Sequence, residues 1–378
     1  MNETAARPRF ASVTDLLRQK STDTPVFCLF PRRVRAAVEQ FRRGFSGEVM
    51  YAVKANPDPE VVGWIVAAGI KSFDTASLPE MHLARSVLPG AHCSYNHPIK
   101  PRGAITAAYR ELGIRDFVVD HPAELDKVLE CAGRDVVIEV RVATENTTAK
   151  VTFNEKFGAT PAAAAQLLRQ VAQRGATPAL TMHVGWQTTD PEAYAAAVRL
   201  LAAVAEEAAV PPEYVNVGGG FPSLLMPAGL TLNHFFDAID GAHSASPSIA
   251  SSPLRCEPGS ALVTYGGGVL TQVLLVKEQS IYLNDGIYGA LAELIHSRTQ
   301  PPTQVLSPRG EPRSGKPRQL RVFGPTCDSF DVSPVPFTLP DDTAEGDWLF
   351  LGSMGAYSAP LITDFNGLGA HEFALIED

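Results

Sequence analysis

No two of the five cysteines, at positions 28, 93, 131, 256 and 327, fall in a CxxC pair. That spacing offers neither a zinc ligand set nor a disulfide framework, so no metal site is expected. An excess of positive charge is missing too: 32 Lys and Arg stand against 41 Asp and Glu, a formal net charge of −9. A chain with this balance is not expected to take nucleic acid or an anionic membrane as its main partner. No apolar run reaches the ~20 residues that span a bilayer. The opening "MNETAARPRFASVTDLLRQ" lacks the basic, apolar and small-residue succession of a secretory leader. These absences set the expectation of a soluble, cytoplasmic protein that works on small molecules.

What is present is a regular alternation. From residue 26 to 263, short apolar runs trade places with longer stretches of helical periodicity. "EVMYAVKA", "IKSFDTAS", "AHCSYNHP", "RDFVVDH", "DVVIEVRVA", "TPALTMHVGW", "EYVNVGGGF" and "SPLRCEPG" are the apolar runs, and patterns such as "DPEAYAAAVRLLAAVAEEA" lie between them. Helices between short β-rich runs imply parallel βα units. Eight such strands in about 235 residues suit a (β/α)8 barrel better than an open sheet. Beyond residue 263 the periodicity changes to strands and turns, and residues 1–25 with 264–378 are expected to form a mostly antiparallel β-domain. The segment "HSRTQPPTQVLSPRGEPRSGKPRQ" is rich in Pro, Arg and Ser and reads as one long loop.

In such a barrel the C-terminal strand ends build the site. The polar residues there are Lys54, Asp74, His97, Arg141, His183, Gly218 to Gly220 and Glu257. Lys54 sits in "VMYAVKANPDPEVV", where a buried strand is expected. An ammonium in a core has to be paired or lose its charge, and a neutral lysine is a nucleophile towards carbonyls. A lysine that reaches solvent from a strand edge is the plainer alternative. The run "VNVGGGFP" lets backbone amides approach an anion, although a triple glycine can equally be only a tight turn. His97 is read as a packing residue. A lysine, an anion-binding loop and a strand-end carboxylate together suggest pyridoxal phosphate chemistry.

"YAVKAN", "HVGWQ", "GGGFP", "EPG", "FGPTCDSFD" and "GAY" occur in this order. The set resembles the signatures of the alanine-racemase-like, fold-type III pyridoxal phosphate decarboxylases, nearest to the bacterial ornithine decarboxylases, over residues 26 to 369. The resemblance implies a homodimer with shared active sites and pyridoxal 5'-phosphate as cofactor. It further implies that Lys54 joins the cofactor covalently, His183 stacks on its ring and Glu257 salt-bridges the pyridine nitrogen. Gly218, Gly219, Gly220, Gly259, Ser260 and Tyr357 would lie about the phosphate, with Asp74 and Arg141 supporting the lysine and carboxylate. Cys327 would return a proton to the substrate carbon from across the dimer, and Asp328 with Asp285 would face the distal end of the substrate. The other four cysteines are read as packing residues.

Two departures from the family pattern stand out. Ser260 follows "EPG" where the family usually has arginine, and Trp186 stands in "HVGWQ" where serine is usual. Serine cannot replace the charge-assisted fork of an arginine on phosphate. After "NDG", His296 and Arg298 stand where an acidic or aromatic element is expected for a dicationic substrate, and Lys150 and Lys156 occupy a barrel loop. These cations favour a substrate whose distal amine carries an acidic group, such as the ornithine–citrate conjugate of carboxylate siderophore synthesis. Free ornithine, lysine or diaminopimelate in polyamine synthesis is the alternative. A racemase is disfavoured by the complete "GPTCDS" motif, and a non-catalytic cofactor-binding protein by the full β-domain and Cys327.

Overall fold

In the computed structural model, residues 6–20, 22–145, 148–151 and 156–377 are described. The chain divides into two compact units, Ala37–Ala261 and Met1–Ala36 with Leu262–Asp378.

The first unit is a closed barrel of eight parallel strands. In chain order they are Glu48–Ala52, Ser72–Thr75, His92–Tyr95, Asp116–Val119, Val137–Val142, Thr177–Met182, Val215–Asn216 and Leu254–Cys256. The last strand closes on the first, with Cys256 opposite Val49. All eight are the runs picked out by periodicity. The helices between them start sharply because their first turns are fastened. Pro59, Pro122, Pro161 and Pro191 open four of them, where proline's missing N–H costs nothing. Asp58, His121, Thr160 and Asp190 accept from first-turn N–H groups at the same four ends. The helix Pro191–Ala208 buries Tyr194, Val198 and Leu201. Tyr194 stacks on Phe221 at 4.8 Å, and Phe221 meets Phe41 edge-on at 5.2 Å, so aromatic packing fixes the chain just after the triple glycine.

The second unit is a nine-stranded sheet. Its central strand, Gly267–Lys277, pairs antiparallel with Val26–Leu29, Ser280–Leu283 and Trp348–Leu351. Phe27, Val269, Leu283, Leu320, Phe337 and Leu349 belong to its buried core.

Two expectations need correction. Val26–Leu29 is a strand of this sheet, not of the barrel: it lies between Gly267–Lys277 and Glu372–Ile376, and the barrel unit begins at Ala37 rather than 26. The segment expected to be one long loop contains the strand Thr303–Leu306, antiparallel to Trp348–Leu351, and runs into Pro317–Phe323. Five residues between Pro301-Pro302 and Pro308 are too short a run to show periodicity, and pairing with a buried neighbour decides the matter. Of the expected basic barrel loop, Lys150 and Lys156 are described, while 146–147 and 152–155 lie outside the described residues. No helix among the described residues is long and apolar enough to cross a membrane.

Candidate active site

Lys54 lies in a one-turn 3-10 segment, Val53–Ala55, directly after the first barrel strand. Its neighbours Val53 and Ala55 are fully buried, but its own side chain is 44% exposed and its Nζ is 2.6 Å from Oδ2 of Asp74. The lysine is therefore not entombed in a core, as the apolar run suggested. Its backbone is fixed by buried neighbours, its amine stands in the open barrel mouth, and Asp74, 2% exposed at the end of the next strand, answers its charge.

Glu257 follows the last barrel strand and is held from two sides. Asn96 Nδ2 donates to its Oε1 at 2.6 Å and Asn216 Nδ2 donates to the same oxygen at 2.5 Å. The Asn216 amide cannot be turned round, because its Oδ1 accepts from the Gly218 N–H at 3.0 Å. Asn216 Nδ2 also donates to Oε2 of Glu139 at 3.0 Å. Burial, then the nearby Asp74 and Glu139 charges, lift the Glu257 carboxyl well above the usual range.

His183 directly follows the sixth strand and is half-buried. Its Nδ1 accepts from the Gly185 N–H at 3.0 Å, which fixes the ring orientation. Burial, with Arg141 and Lys54 nearby, pushes its pKa well below the ordinary value, so the ring is neutral. The triple glycine lies against it. A Cβ on Gly219 would come within 2.6 Å of the Glu257 carbonyl oxygen and 3.4 Å of His183 Nε2, and one on Gly220 within 1.9 Å of the Gly185 carbonyl oxygen. Gly218 and Gly220 also have φ of 64° and 89°. Sterics and backbone conformation both require glycine here. Tyr194 Oη donates to the Gly219 carbonyl at 2.8 Å, and Gln187, fully buried, accepts from the Ser223 N–H at 2.8 Å.

Arg141, half-buried, is the penultimate residue of the fifth strand, with its guanidinium 5.4 Å from the Phe157 ring centroid. Gly259 is required for a similar reason to Gly219: a Cβ would meet Ala55 at 3.0 Å. Ser260, buried, begins the short helix Ser260–Val263. Trp186 is buried and bridges Val151 through its backbone. His97 accepts from the Ile99 N–H at 3.1 Å and packs on Phe157, as a packing residue does.

In the β unit, Cys327 is exposed and both its N–H and Sγ donate to Asn366 Oδ1, at 3.1 and 3.2 Å. Asp328 accepts from the Phe330 N–H at 3.0 Å and from the Tyr288 hydroxyl. Both residues line a cleft of about 460 Å³. The loop is held by Asp331, 2% exposed, which accepts from the Ile287 N–H and from the Thr326 N–H and hydroxyl. Tyr357, half-buried, has φ of 55° and follows Gly355, where a Cβ would strike the Val263 carbonyl oxygen at 1.9 Å. His296 and Arg298 are both exposed, and Arg298 ends the short helix Leu294–Ser297 in the left-handed region.

Asp285 departs from its expected role. It is 3% exposed, its Oδ1 accepts from the Gly286 and Ala290 N–H groups, and its Oδ2 is 2.9 Å from His371 Nε2. Burial opposes charge on His371, but Asp285 outweighs it and the imidazole pKa is raised. A carboxylate with an internal cation and two N–H donors is a structural anchor rather than a group facing substrate. His371 stands 86 residues away, so no local motif announces the pair. Asn96, Glu139 and Asn216 were also missed. Their signal was present, since each is a polar residue on or beside an apolar barrel strand, and Asn96 adjoins the His97 that was noticed.

The donor set fits pyridoxal phosphate: a positioned amine, a fastened carboxyl, a flat neutral ring and a loop of three glycines without side chains. Residues 30–264 match the family model described as "Pyridoxal-dependent decarboxylase, pyridoxal binding domain". The chain is 30% identical over 342 residues to the lysine/ornithine decarboxylase of Selenomonas ruminantium, covering 87% of this chain and 84% of that one. The lysine/ornithine decarboxylase of Vibrio vulnificus, solved with cadaverine, superposes with a TM-score of 0.81 at 28% identity, over 94% of this chain and 95% of the other. The arginine decarboxylase of Paramecium bursaria Chlorella virus, with a TM-score of 0.86 at 24% identity over 96% and 99%, shares the fold. This chain belongs to the pyridoxal-phosphate-dependent decarboxylases of the ornithine, lysine and arginine family.

Proposed function

We propose that this enzyme removes the α-carboxylate of an ornithine-type amino acid whose distal amine bears an acidic acyl group, the citryl conjugate being the type case. The bound cofactor supplies an electron sink for the pair released when the Cα–carboxylate bond breaks. The chain's residues do the rest. Lys54 would hold the cofactor covalently through its amine, which Asp74 positions at 2.6 Å. His183, being neutral, gives a flat face without a competing charge. Glu257, as an anion, keeps a proton on the pyridine nitrogen, while Ser260, Tyr357 and the glycine amides hold phosphate without the usual arginine. Cys327, from a second copy of the chain, returns a proton to Cα. Phe330, 75% exposed three residues from that thiol, supports a partner covering this loop.

The observation that carries the substrate reading is the Asp285–His371 pair. With Asp285 consumed internally, one of two expected acceptors for a distal ammonium is lost, while the nearby exposed His296 and Arg298 suit carboxylates. The named activities of the relatives favour a second reading, free ornithine or lysine as substrate, which Asp328 alone would serve. Carbon dioxide release and product mass across free ornithine, lysine and citryl-ornithine decide between them. The conjugate is expected to give the highest kcat/KM, and Arg298→Ala should lower that value about tenfold or more while sparing free ornithine. A wild type that prefers free ornithine overturns the acidic-substrate reading and leaves decarboxylation standing.

A further inference from the structure

Glu139 is a buried acid on a barrel strand that the proposed chemistry does not use. It is the third residue of the strand Val137–Val142 and is 0% exposed. It lies under Glu257, and the Asn216 amide spans the two, giving a hydrogen bond to each carboxylate. The groups facing Glu139 are Asp116, Arg255 and the Tyr214 hydroxyl. Those facing Glu257 are Asp74, Lys54, Arg141 and the Cys256 thiol. Burial first, then like charge, raises both carboxyls above the ordinary range. Two buried carboxylates joined through one amide do not both ionise easily.

We propose that Glu139, tied to Glu257 by the Asn216 amide, is a positioning residue that holds the one proton of a carboxyl pair, so that Glu257 is free to be the anion opposite a pyridinium. Without cofactor the pair carries one proton and one negative charge between them. With a protonated pyridine nitrogen against Glu257, the negative charge lies on Glu257 and the proton on Glu139, so the pair's total is unchanged. The carboxyl left neutral beneath then still accepts the Asn216 hydrogen bond and adds no second charge. This rests on the assignment of Glu257 to the pyridine nitrogen.

The test is an infrared difference spectrum of the cofactor-loaded enzyme at neutral pH, wild type minus Glu139→Gln. It should contain the C=O stretch of one protonated carboxyl per subunit, which glutamine lacks. Glu139→Met, similar in volume and apolar, gives a second subtraction if the first variant folds poorly. The glutamine variant should bind pyridoxal phosphate within a fewfold of wild type, because it copies the protonated form, whereas Glu257→Gln should bind at least tenfold more weakly. Carboxylate bands in place of the C=O stretch, in either subtraction, overturn the shared proton alone. Undiminished cofactor affinity in Glu257→Gln overturns the pyridine assignment and this inference with it.

Discussion

The barrel carries a charged cluster at each end, and the two are balanced differently. At the N-terminal end, strand-initial residues converge: Glu48, Ser72, His92 and Asp116, with Arg255 from the last strand. Arg255 is 2.8 Å from Glu48 and 2.9 Å from Asp116, and His92 is 2.9 Å from Asp116. Two acids meet two bases. His92, with its Nδ1 3.8 Å from Glu48, leads the effects that hold Glu48 down to about 2, and the bond to Asp116 leads those that lift His92 to about 9. At the C-terminal end Lys54 pairs with Asp74 and Arg141 faces Glu257, but with Glu139 below at mid-strand the acids outnumber these cations, and burial lifts Glu257 instead. The same side chain is thus driven in opposite directions by its company. A matched cluster stabilises the barrel, whereas an excess of acid leaves a carboxyl waiting for a cation from outside.

The sharpest way to break the comparison is Lys54→Arg. The substitution preserves a cation near Asp74, so the charge balance of the C-terminal end survives, but the primary amine is gone. Turnover should fall by on the order of 10³-fold or more. Borohydride reduction of the wild type should place the cofactor's mass on the Lys54 peptide. Label on another lysine, or substantial turnover in the variant, removes this end of the barrel from the chemistry.

At the other end the largest effect is on stability. Arg255→Leu leaves Glu48 and Asp116 without their shared guanidinium. Removing one partner of a largely buried pair costs about 3–5 kcal/mol, and with Arg255 16% exposed the lower figure is expected. Urea unfolding measures it. Adding Glu48→Gln to Arg255→Leu should recover part of the loss, because one of the stranded charges is then gone. A double variant no more stable than the single one denies that the cluster acts by charge matching.

This asymmetry also explains what could be read from the sequence. Barrel strands, helix starts and strand-end positions are local, written in periodicity and in proline with its capping neighbour, and all eight strands were legible. Pairing across the chain is not local. His371 claims Asp285 from 86 residues away, and Val26–Leu29 joins a sheet whose other members start at residue 267 or lie at the termini. Burial was misjudged in one instructive place. The lysine that is truly enclosed is Lys100, with a fully buried side chain donating to the carbonyls of His97 and Val118 and paired with Glu124 at 3.0 Å. Its flanks, Ile99 exposed and Pro101, give no apolar run to announce it. Lys54 has the apolar run and reaches the open mouth. Apolar neighbours report where the backbone goes, and a four-carbon stem can leave that place.

The smallest effect is a pH dependence confined to the matched end. His92 has its pKa raised from 6.5 to about 9 by Asp116 and Glu48, so protonation is favoured by folding. Its contribution is fully present below the unfolded value of 6.5, declines as pH rises and is lost above about 9. Since 39% of the side chain is exposed, solvent screening trims the contribution to about 1–2 kcal/mol. His92→Asn should therefore be less stable than wild type by that amount in urea unfolding between the ordinary Glu value of 4.5 and pH 6.5, where Glu48 is also charged. Above about pH 9 the two unfolding curves should converge. A gap that stays constant across this range would mean that His92 serves by shape and hydrogen bonding, and that the N-terminal cluster is not the charge-matched counterpart of the acid-rich end.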